Sequence, residues 1–396
     1  MDGSRRFVPA DRRYLAPSII GFWPHTTREN SMLLRLAALL LASIGLAAAQ
    51  TPKPDYPPTH WPIRNGVYHI HNFRFGTGET LADLRLHYVT LGQPRQDASG
   101  HTINAVLLIH GTGGDAHSLL NPVFSDVLFG PGQPLDIKRY FIILPDLIGH
   151  GESSKPSDGL RMKFPRYTYD DMVRASHQVL LEGLHVDHLR LVLGTSMGCM
   201  QSFVWGEMYP EFVDALMPLA CMPMEIAGRN RIWRYMAIQG IRDDPNWDNG
   251  NYTQQPIEGL RSAANWFIIA GSAPQHMQKD LPTRKQAEAY FNQRVPKIVA
   301  YLDADDLIYQ LDASRDYNPE PRLGAINAPL IWINSGDDFI NPPELSDIAR
   351  KLVRRIPHGR YIMIPASMKT YGHGTHTHAA DYKQYLLELL DESAKH

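Results

Sequence analysis

The stretch "LRLVLGTSMGCM" (residues 189–200) constrains the fold more than any other part of the sequence. An apolar run ends at Gly194, and a helical pattern begins directly after Ser196. A chain passes from strand to helix without a loop only through a tight, strained turn, so glycines are needed where a Cβ atom would collide with neighbouring segments. Such a turn lifts the serine hydroxyl above the carboxyl end of a sheet, beside the N–H groups of a helix N-terminus. The pattern G-x-S-x-G therefore predicts a nucleophilic serine, and a Gly-Ser turn without chemistry is the alternative.

Buried strands occur on both sides of this turn. Continuous apolar runs at 105–111, 140–146 and 189–194 predict strands that are covered on both faces. Residues 68–75 and 84–92 alternate apolar and polar side chains, which predicts an antiparallel hairpin. We therefore expect a sheet that is mostly parallel and carries a hairpin at its start.

Helical patterns separate these strands, and a largely helical region interrupts them. Strand patterns return at 329–338 and 360–367, and a final helix is expected near 376–393. The resulting prediction is an α/β fold with helices on both faces of a central sheet. Its core comprises residues 66–221 and 322–396, and residues 222–321 form an inserted helical lid.

The N-terminal region has the pattern of a targeting segment. Residues 32–49 contain one arginine near the start, an apolar run and an A-x-A cleavage pattern, as in a secretory signal peptide. An uncleaved anchor or a buried helix is the weaker alternative, because the run is short for a membrane span. We expect Met32 to be the true start, residues 1–31 to be a mis-called extension, and residues 50–65 to be a Pro-rich lead-in. Cleavage after Ala49 predicts a periplasmic or secreted protein, whereas a genuine longer start that blocks export would leave it in the cytoplasm.

Charge and cysteine content exclude several classes of function. The formal net charge is −2 over 396 residues, which argues against nucleic acid or an anionic membrane surface as a partner. The two cysteines, Cys199 and Cys221, make neither a disulfide framework nor a zinc-ligand pattern, and we expect both to be buried apolar residues. No metal and no cofactor is predicted.

A serine nucleophile needs a base, and the base needs an orienting acid. In folds that carry this turn the chain order is serine, then Asp or Glu, then histidine. Asp337 and Asp338 follow the strand at 329–338, and we choose Asp338 as the acid, with Asp337 as the alternative. His373 follows the last strand and is the expected base.

Two further histidines lie close to this base in the sequence. His376 and His378 could form a metal cluster with His373, but no carboxylate spacing supports one. We expect these two residues to cap the last helix or to lie on its surface.

The attacked carbonyl oxygen needs hydrogen-bond donors that are already in place. We expect one donor to be the N–H of Met197, which follows the nucleophile, and the other to be the N–H of Thr112 in the loop "HGTGG". Gly111 and Gly113 let this backbone approach the substrate. A phosphate-binding loop is the alternative, but the loop lacks the lysine of a P-loop.

Several of these pieces resemble the homoserine O-acetyltransferase branch of the α/β-hydrolase superfamily. Across residues 66–392 the resemblance rests on "LGTSMGCMQSFVW", "IRDDPNWDNGNY", "DDFINPPE", "YGHG" and "LIHGTGG". It implies the α/β-hydrolase fold, with His373 as base and Thr112 as oxyanion donor. The family's acid lies four residues before a proline, a spacing that implies Asp338 with Pro342.

Two departures from the family pattern bear on the substrate. The family's arginine for the homoserine carboxylate matches Ile238 here, and Arg234 lies one turn earlier. Residues 145–159 resemble the corresponding loop of ordinary esterases. Because a buried carboxylate needs a cationic partner, homoserine is not the expected acceptor. An exported enzyme would also lack cytoplasmic acetyl-CoA.

We therefore expect a serine enzyme that works through an acyl-enzyme, as a carboxylic ester hydrolase for small acyl groups. O-acyl transfer to an alcohol is the alternative, and a non-catalytic binding protein of this fold is a remote one. The expected partner is a small-molecule ester or acyl donor, and a homodimer formed through the lid is suggested by family analogy alone. The pocket residues expected on the lid are Trp233, Tyr235 and Ile238. The aromatic lid residues Trp233, Tyr235 and Trp266 could equally pack the lid onto the core.

Overall fold

A computed structural model describes residue 56 and residues 58–394 of the protein. In this part of the chain eight strands form one sheet. The strands are β1 (Arg64–Arg74), β2 (Thr80–Leu91), β3 (Ala105–Ile109), β4 (Phe141–Pro145), β5 (Leu191–Thr195), β6 (Leu216–Leu219), β7 (Leu330–Ser335) and β8 (Gly359–Ile364). Their order across the sheet is β1-β2-β4-β3-β5-β6-β7-β8.

The sheet is antiparallel only at its first edge. β1 and β2 form the predicted hairpin, and β2 runs antiparallel to β4. All pairs from β4 through β8 are parallel. Because the carboxyl ends of these parallel strands share one edge, the loops that follow β3, β5, β7 and β8 are brought together there.

Helices cover both faces of the sheet, as the alternating pattern predicted. The helices of the core are α1 (Pro122–Leu128), α2 (Tyr169–Gln178), α3 (Met197–Met208), α9 (Ser346–Val353) and α10 (Lys383–Glu392). The face with α2, α3 and α9 and the face with α1 and α10 each bury a separate apolar cluster. The α/β fold class with an inserted helical lid is therefore confirmed.

The lid lies between β6 and β7 in the chain. It has its own apolar cluster and a buried polar network in which Trp247 Nε1 donates to Asp305 and Tyr252 Oη donates to Asp303. Its helices are α4 (Gly228–Arg242), α5 (Ile257–Ala270), α6 (Pro274–Asp280), α7 (Arg284–Val299) and α8 (Ala304–Asp312).

The last helix begins later than predicted. α10 starts at Lys383, and two short 3-10 turns, Gly372–Thr377 and Ala379–Asp381, occupy the segment that was expected to open it. The apolar spacing within α10 was identified correctly, but it carries no information about the turn in front of the helix.

The prediction for the two cysteines was wrong in one respect. Both are fully buried, as expected, but Cys199 and Cys221 form a disulfide with a Cα–Cα distance of 5.8 Å. The pairing follows from the contact of the first turn of α3 with the end of β6, which two isolated cysteines in a sequence do not reveal.

The expected extension at 1–31 and signal peptide at 32–49 lie outside the described residues, as do residues 50–55 and 57 of the lead-in. No helix in the described part of the chain is both long enough and apolar enough to cross a membrane.

Candidate active site

The turn between β5 and α3 has the strained geometry that its sequence implies. Ser196 has φ 55° and ψ −107°, in a region that residues with a Cβ atom rarely occupy. A Cβ atom on Gly194 would lie 1.9 Å from the carbonyl oxygen of Gly198, and one on Gly198 would lie 2.2 Å from that of Ile109. Both glycines are therefore required by the close approach of strand, helix and β3.

The structure brings Ser196, His373 and Asp338 together. His373 Nε2 lies 2.8 Å from Ser196 Oγ, and His373 Nδ1 lies 2.9 Å from Asp338 Oδ2. The three side chains come from the loops after β5, β8 and β7, which end at the same edge of the sheet. The imidazole is thus placed to take a proton from the serine hydroxyl while the carboxylate orients its other nitrogen.

The two neighbouring aspartates have different partners. Asp337 Oδ2 accepts hydrogen bonds from Thr370 Oγ1 and from the N–H of Gly372, both at 2.9 Å. Asp338 contacts His373 itself, so the chosen residue is the one placed as the acid. Asp337 holds the backbone just before the histidine.

Asp338 is held in its ionised form. Burial alone raises the pKa of this carboxyl, but the charge and hydrogen bond of His373, together with donors from Asn341, lower the pKa below the usual value. Oδ1 accepts from the N–H groups of Ile340 at 2.7 Å and Asn341 at 3.2 Å. Asn341 Nδ2 also donates to Oδ2 at 3.0 Å. Sequence reasoning missed Asn341, because its role depends on where the loop after β7 folds back.

The loop after β3 lies directly against the nucleophile. A Cβ atom on Gly111 would be 3.2 Å from Ser196 Cβ, and the Thr112 hydroxyl is buried without a hydrogen-bond partner. Gly113 has φ +72° and open space around it. The N–H of Met197, at the start of α3, lacks an acceptor within the helix. The loop after β3 and the start of α3 therefore both adjoin Ser196.

A buried carboxylate that the sequence analysis did not identify anchors this loop. Asp146 Oδ1 accepts from the N–H of Ala116 at 2.6 Å, and Oδ2 accepts from the N–H of Glu152 at 2.7 Å. A further hydrogen bond joins Oδ2 to His87 Nδ1 at 2.8 Å. Burial raises the pKa of Asp146, but His87 and the two backbone donors outweigh it and lower the pKa. The sequence feature that could have identified Asp146 is its position directly after Pro145, at the end of the buried strand β4.

His376 and His378 do not have the roles predicted from sequence. The His376 ring packs edge-on against His373 with 5.1 Å between centroids, and burial lowers the pKa of His376 to about 3. The His378 ring stacks on Tyr371 at 3.6 Å, and His276 of α6 stacks on the opposite face of Tyr371 at 4.5 Å. Neither histidine caps α10, and no group of three potential metal ligands occurs among the described residues.

Comparison with known proteins agrees with this fold. A sequence profile of the α/β-hydrolase fold matches residues 104–368. The chain is 32% identical over 339 residues to the homoserine O-acetyltransferase of Moorella thermoacetica, covering 75% of this chain and 87% of that protein. The chain belongs to the homoserine O-acetyltransferase-like branch of the α/β-hydrolases.

Solved α/β-hydrolase structures of two activities resemble this chain in fold. Esterase E22 superposes with a TM-score of 0.72 at 19% identity, covering 83% of this chain and all of the other. The homoserine O-acetyltransferase of Bacillus anthracis superposes with a TM-score of 0.71 at 21% identity, covering 83% of this chain and 98% of the other.

The lid residues of this α/β-hydrolase divide into two groups. Trp233 and Ile238 are buried in the lid's own apolar cluster, and Trp266 is partly buried against it. Tyr235 is 52% exposed. Arg234 is only 2% exposed, donates from Nε to Asn230 at 2.9 Å, and lies over the Trp233 ring.

Proposed function

We propose that the protein is a serine-dependent carboxylic ester hydrolase for small acyl groups, with Ser196 as nucleophile, His373 as general base and Asp338 as orienting acid. The observation that carries the proposal is the position of the His373 ring, within 2.9 Å of both partners. The α/β-hydrolase membership and the fold likeness to an esterase support it.

The reaction consists of two proton-balanced steps. His373 Nε2 takes the Ser196 proton as Oγ attacks the ester carbonyl carbon, and the N–H groups of Met197 and Thr112 donate to the resulting oxyanion. The tetrahedral intermediate collapses when His373 returns the proton to the departing alcohol, which leaves an acyl group on Ser196. Water then attacks the acyl-enzyme by the same route and restores the free serine. Asp338 remains ionised throughout and stabilises the imidazolium.

One observation keeps O-acyl transfer as a second candidate. Among the described residues no carboxylate forms an ion pair with the buried Arg234 guanidinium, and burial lowers its pKa. A buried cation without a counter-anion is costly, so an acceptor alcohol that carries a carboxylate would suit it. Hydrolysis remains the first choice because Ile238, at the family's carboxylate-binding position, is apolar and packed within the lid.

The two candidates are separated by the fate of the acyl-enzyme. The purified protein is given p-nitrophenyl acetate with and without homoserine, and acetate and O-acetylhomoserine are measured by mass spectrometry. Hydrolysis predicts that acetate accounts for nearly all p-nitrophenol released at every homoserine concentration. Accumulation of the acetylated product would favour transfer. Ser196→Ala serves as the inactive reference. If the wild-type protein turns over no more ester and takes up no more fluorophosphonate than this variant, only a binding role is left.

We also propose that the protein is exported to the periplasm or beyond. The signal-peptide pattern at 32–49 supports this, and so does the disulfide, because disulfides persist chiefly in oxidising compartments. Edman sequencing of protein secreted from a bacterial host tests it. An N-terminus at Gln50 is expected, and intact protein retained in the cytoplasm would contradict export.

A further inference from the structure

We propose that the Cys199–Cys221 disulfide positions the catalytic residues, so that the enzyme reaches full activity only after this bond forms. The proposal rests on the proposed function, since it concerns the same Ser196–His373–Asp338 site. It goes beyond stabilisation of the fold, because the two sulfurs join the segments that carry the nucleophile and support the acid.

On the nucleophile side, the disulfide lies directly beside the turn that holds Ser196. Cys199 lies three residues after Ser196, in the first turn of α3. The N–H of Ser196 donates to the carbonyl of Leu219 at 2.8 Å, and Cys221 lies two residues beyond Leu219. The hydrogen bond and the disulfide thus fix the start of α3 to the end of β6 at two neighbouring points.

On the acid side, the residues next to Cys221 support Asp338. The carbonyl of Ala220 accepts from Asn341 Nδ2 at 2.9 Å, and the same amide donates to Asp338 Oδ2 at 3.0 Å. Cys221 itself is held by Asn334, whose Oδ1 accepts from the Cys221 N–H at 3.1 Å and whose Nδ2 donates to the Cys221 carbonyl at 3.1 Å. A shift of Cys221 would therefore be passed to the acid through Ala220 and Asn341.

Both segments have backbone conformations that need external support. Ser196 has φ +55° and Ala220 has φ +68°, and each carries a Cβ atom, so left-handed angles are unfavourable for both. Such residues keep these angles only where their surroundings impose them. A covalent link between the two turns is one such constraint, and without it we expect the serine hydroxyl to sample positions outside hydrogen-bonding distance of His373.

The burial of both sulfurs indicates when the bond forms. Cys199 and Cys221 have no exposed surface, so an oxidant must reach them before folding is complete. Two thiols react with one disulfide oxidant, such as an oxidised dithiol protein or glutathione disulfide. The S–S bond between Cys199 and Cys221 forms as the disulfide bond of the oxidant breaks. The two protons lost by the cysteine thiols end on the two sulfurs of the oxidant, which leaves as a pair of thiols. The disulfide is therefore a maturation step and is not expected to switch in the folded enzyme.

The first test uses the double variant Cys199→Ala, Cys221→Ala. We expect its kcat for p-nitrophenyl acetate to fall at least tenfold, KM to stay within twofold, and the rate of fluorophosphonate labelling to fall in proportion to kcat. Leu386→Ala is the control: it empties a fully buried site in α10, which carries neither a triad residue nor either cysteine, and it lowers stability. If the double variant keeps a kcat as high as that of Leu386→Ala, the disulfide only stabilises the fold and the proposal is wrong.

A second measurement covers the case in which the double variant does not fold. Wild-type protein is reduced in denaturant and refolded with either thiol or glutathione disulfide, and circular dichroism selects the folded fraction. We expect low kcat in the thiol sample and recovery when it is unfolded and refolded with oxidant. Equal kcat in folded reduced and oxidised samples overturns the proposal. Failure of the proposed function looks different, because oxidised wild-type protein would then neither hydrolyse esters nor react with fluorophosphonate.

Discussion

Replacing Asp338 with asparagine tests the assignment of the acid with almost no change in shape. Oδ1 of Asp338 accepts from two backbone N–H groups, those of Ile340 and Asn341. The amide oxygen of an asparagine must stay at that position, so its NH2 group takes the place of Oδ2. It then faces His373 Nδ1, which lies 2.9 Å away, and also the donating Asn341 Nδ2 at 3.0 Å.

This geometry fixes the expected magnitude. With a donor opposite it, His373 Nδ1 must become an acceptor, so Nε2 carries the proton and can no longer accept one from Ser196. Loss of the correct tautomer in a Ser-His-Asp triad lowers kcat by about 10⁴, or about 5 kcal/mol of transition-state stabilisation. We expect a loss of this size for Asp338→Asn, with KM for p-nitrophenyl acetate nearly unchanged.

Asp337→Asn is the matched control, because it removes the same charge one residue away. Asp337 accepts from Thr370 and Gly372 and does not contact the imidazole, so we expect kcat to fall by no more than about tenfold. Initial rates and single-turnover acylation are measured for both variants at pH 8. The reasoning is refuted if Asp338→Asn keeps more than a tenth of the wild-type kcat, or if Asp337→Asn shows the larger loss.

Three further predictions follow from other parts of the site. Gly194→Ala places a Cβ atom 1.9 Å from the Gly198 carbonyl oxygen, so chemical denaturation should show a loss of at least about 3 kcal/mol, and wild-type stability would contradict the geometry. Burial lowers the pKa of His150 and His376 to about 3 each, so between pH 6.5 and 3 these two histidines bind up to two more protons in the unfolded chain than in the folded one. Their contribution to stability should fall by up to about 2.7 kcal/mol per pH unit through this window as pH decreases. His376→Gln should therefore change the slope of stability against pH by up to about 1.4 kcal/mol per pH unit relative to wild type; an unchanged slope would show that His376 is not buried in its neutral form. Asp146→Asn loosens the contact that holds Ala116 in the loop after β3, which carries the proposed oxyanion donor Thr112. We expect kcat to fall by about tenfold to a hundredfold with the secondary structure retained; unchanged kcat would show that the loop is held by other contacts.

The parts of the fold that could be predicted from sequence are those set by local chemistry. The glycines at 194 and 198 indicate the tight turn because a Cβ atom fits at neither position. The continuous apolar runs predict β3, β4 and β5 because these strands are buried on both faces. Ser196, Asp338 and His373 follow one another along the chain, and each comes after a predicted parallel strand. Their meeting at one edge of the sheet could therefore be predicted.

The parts that could not be predicted depend on which residues become neighbours in space. The Cys199–Cys221 bond, the Asn341 amide and the Asp146 carboxylate each connect segments that are far apart in the chain or that fold back in a loop. The start of α10 was misplaced for a related reason. His376 packs against His373 and His378 against Tyr371, contacts that lie in 3-10 turns before the helix.

The most direct test of the central claim is to trap the acyl-enzyme. The wild-type protein is mixed with p-nitrophenyl acetate, quenched in acid within milliseconds, and analysed by intact-mass and peptide mass spectrometry. We predict one acetyl group per chain on the peptide that contains Ser196, and none in Ser196→Ala. Acetylation of another residue, or p-nitrophenol release that persists in Ser196→Ala, would contradict the account.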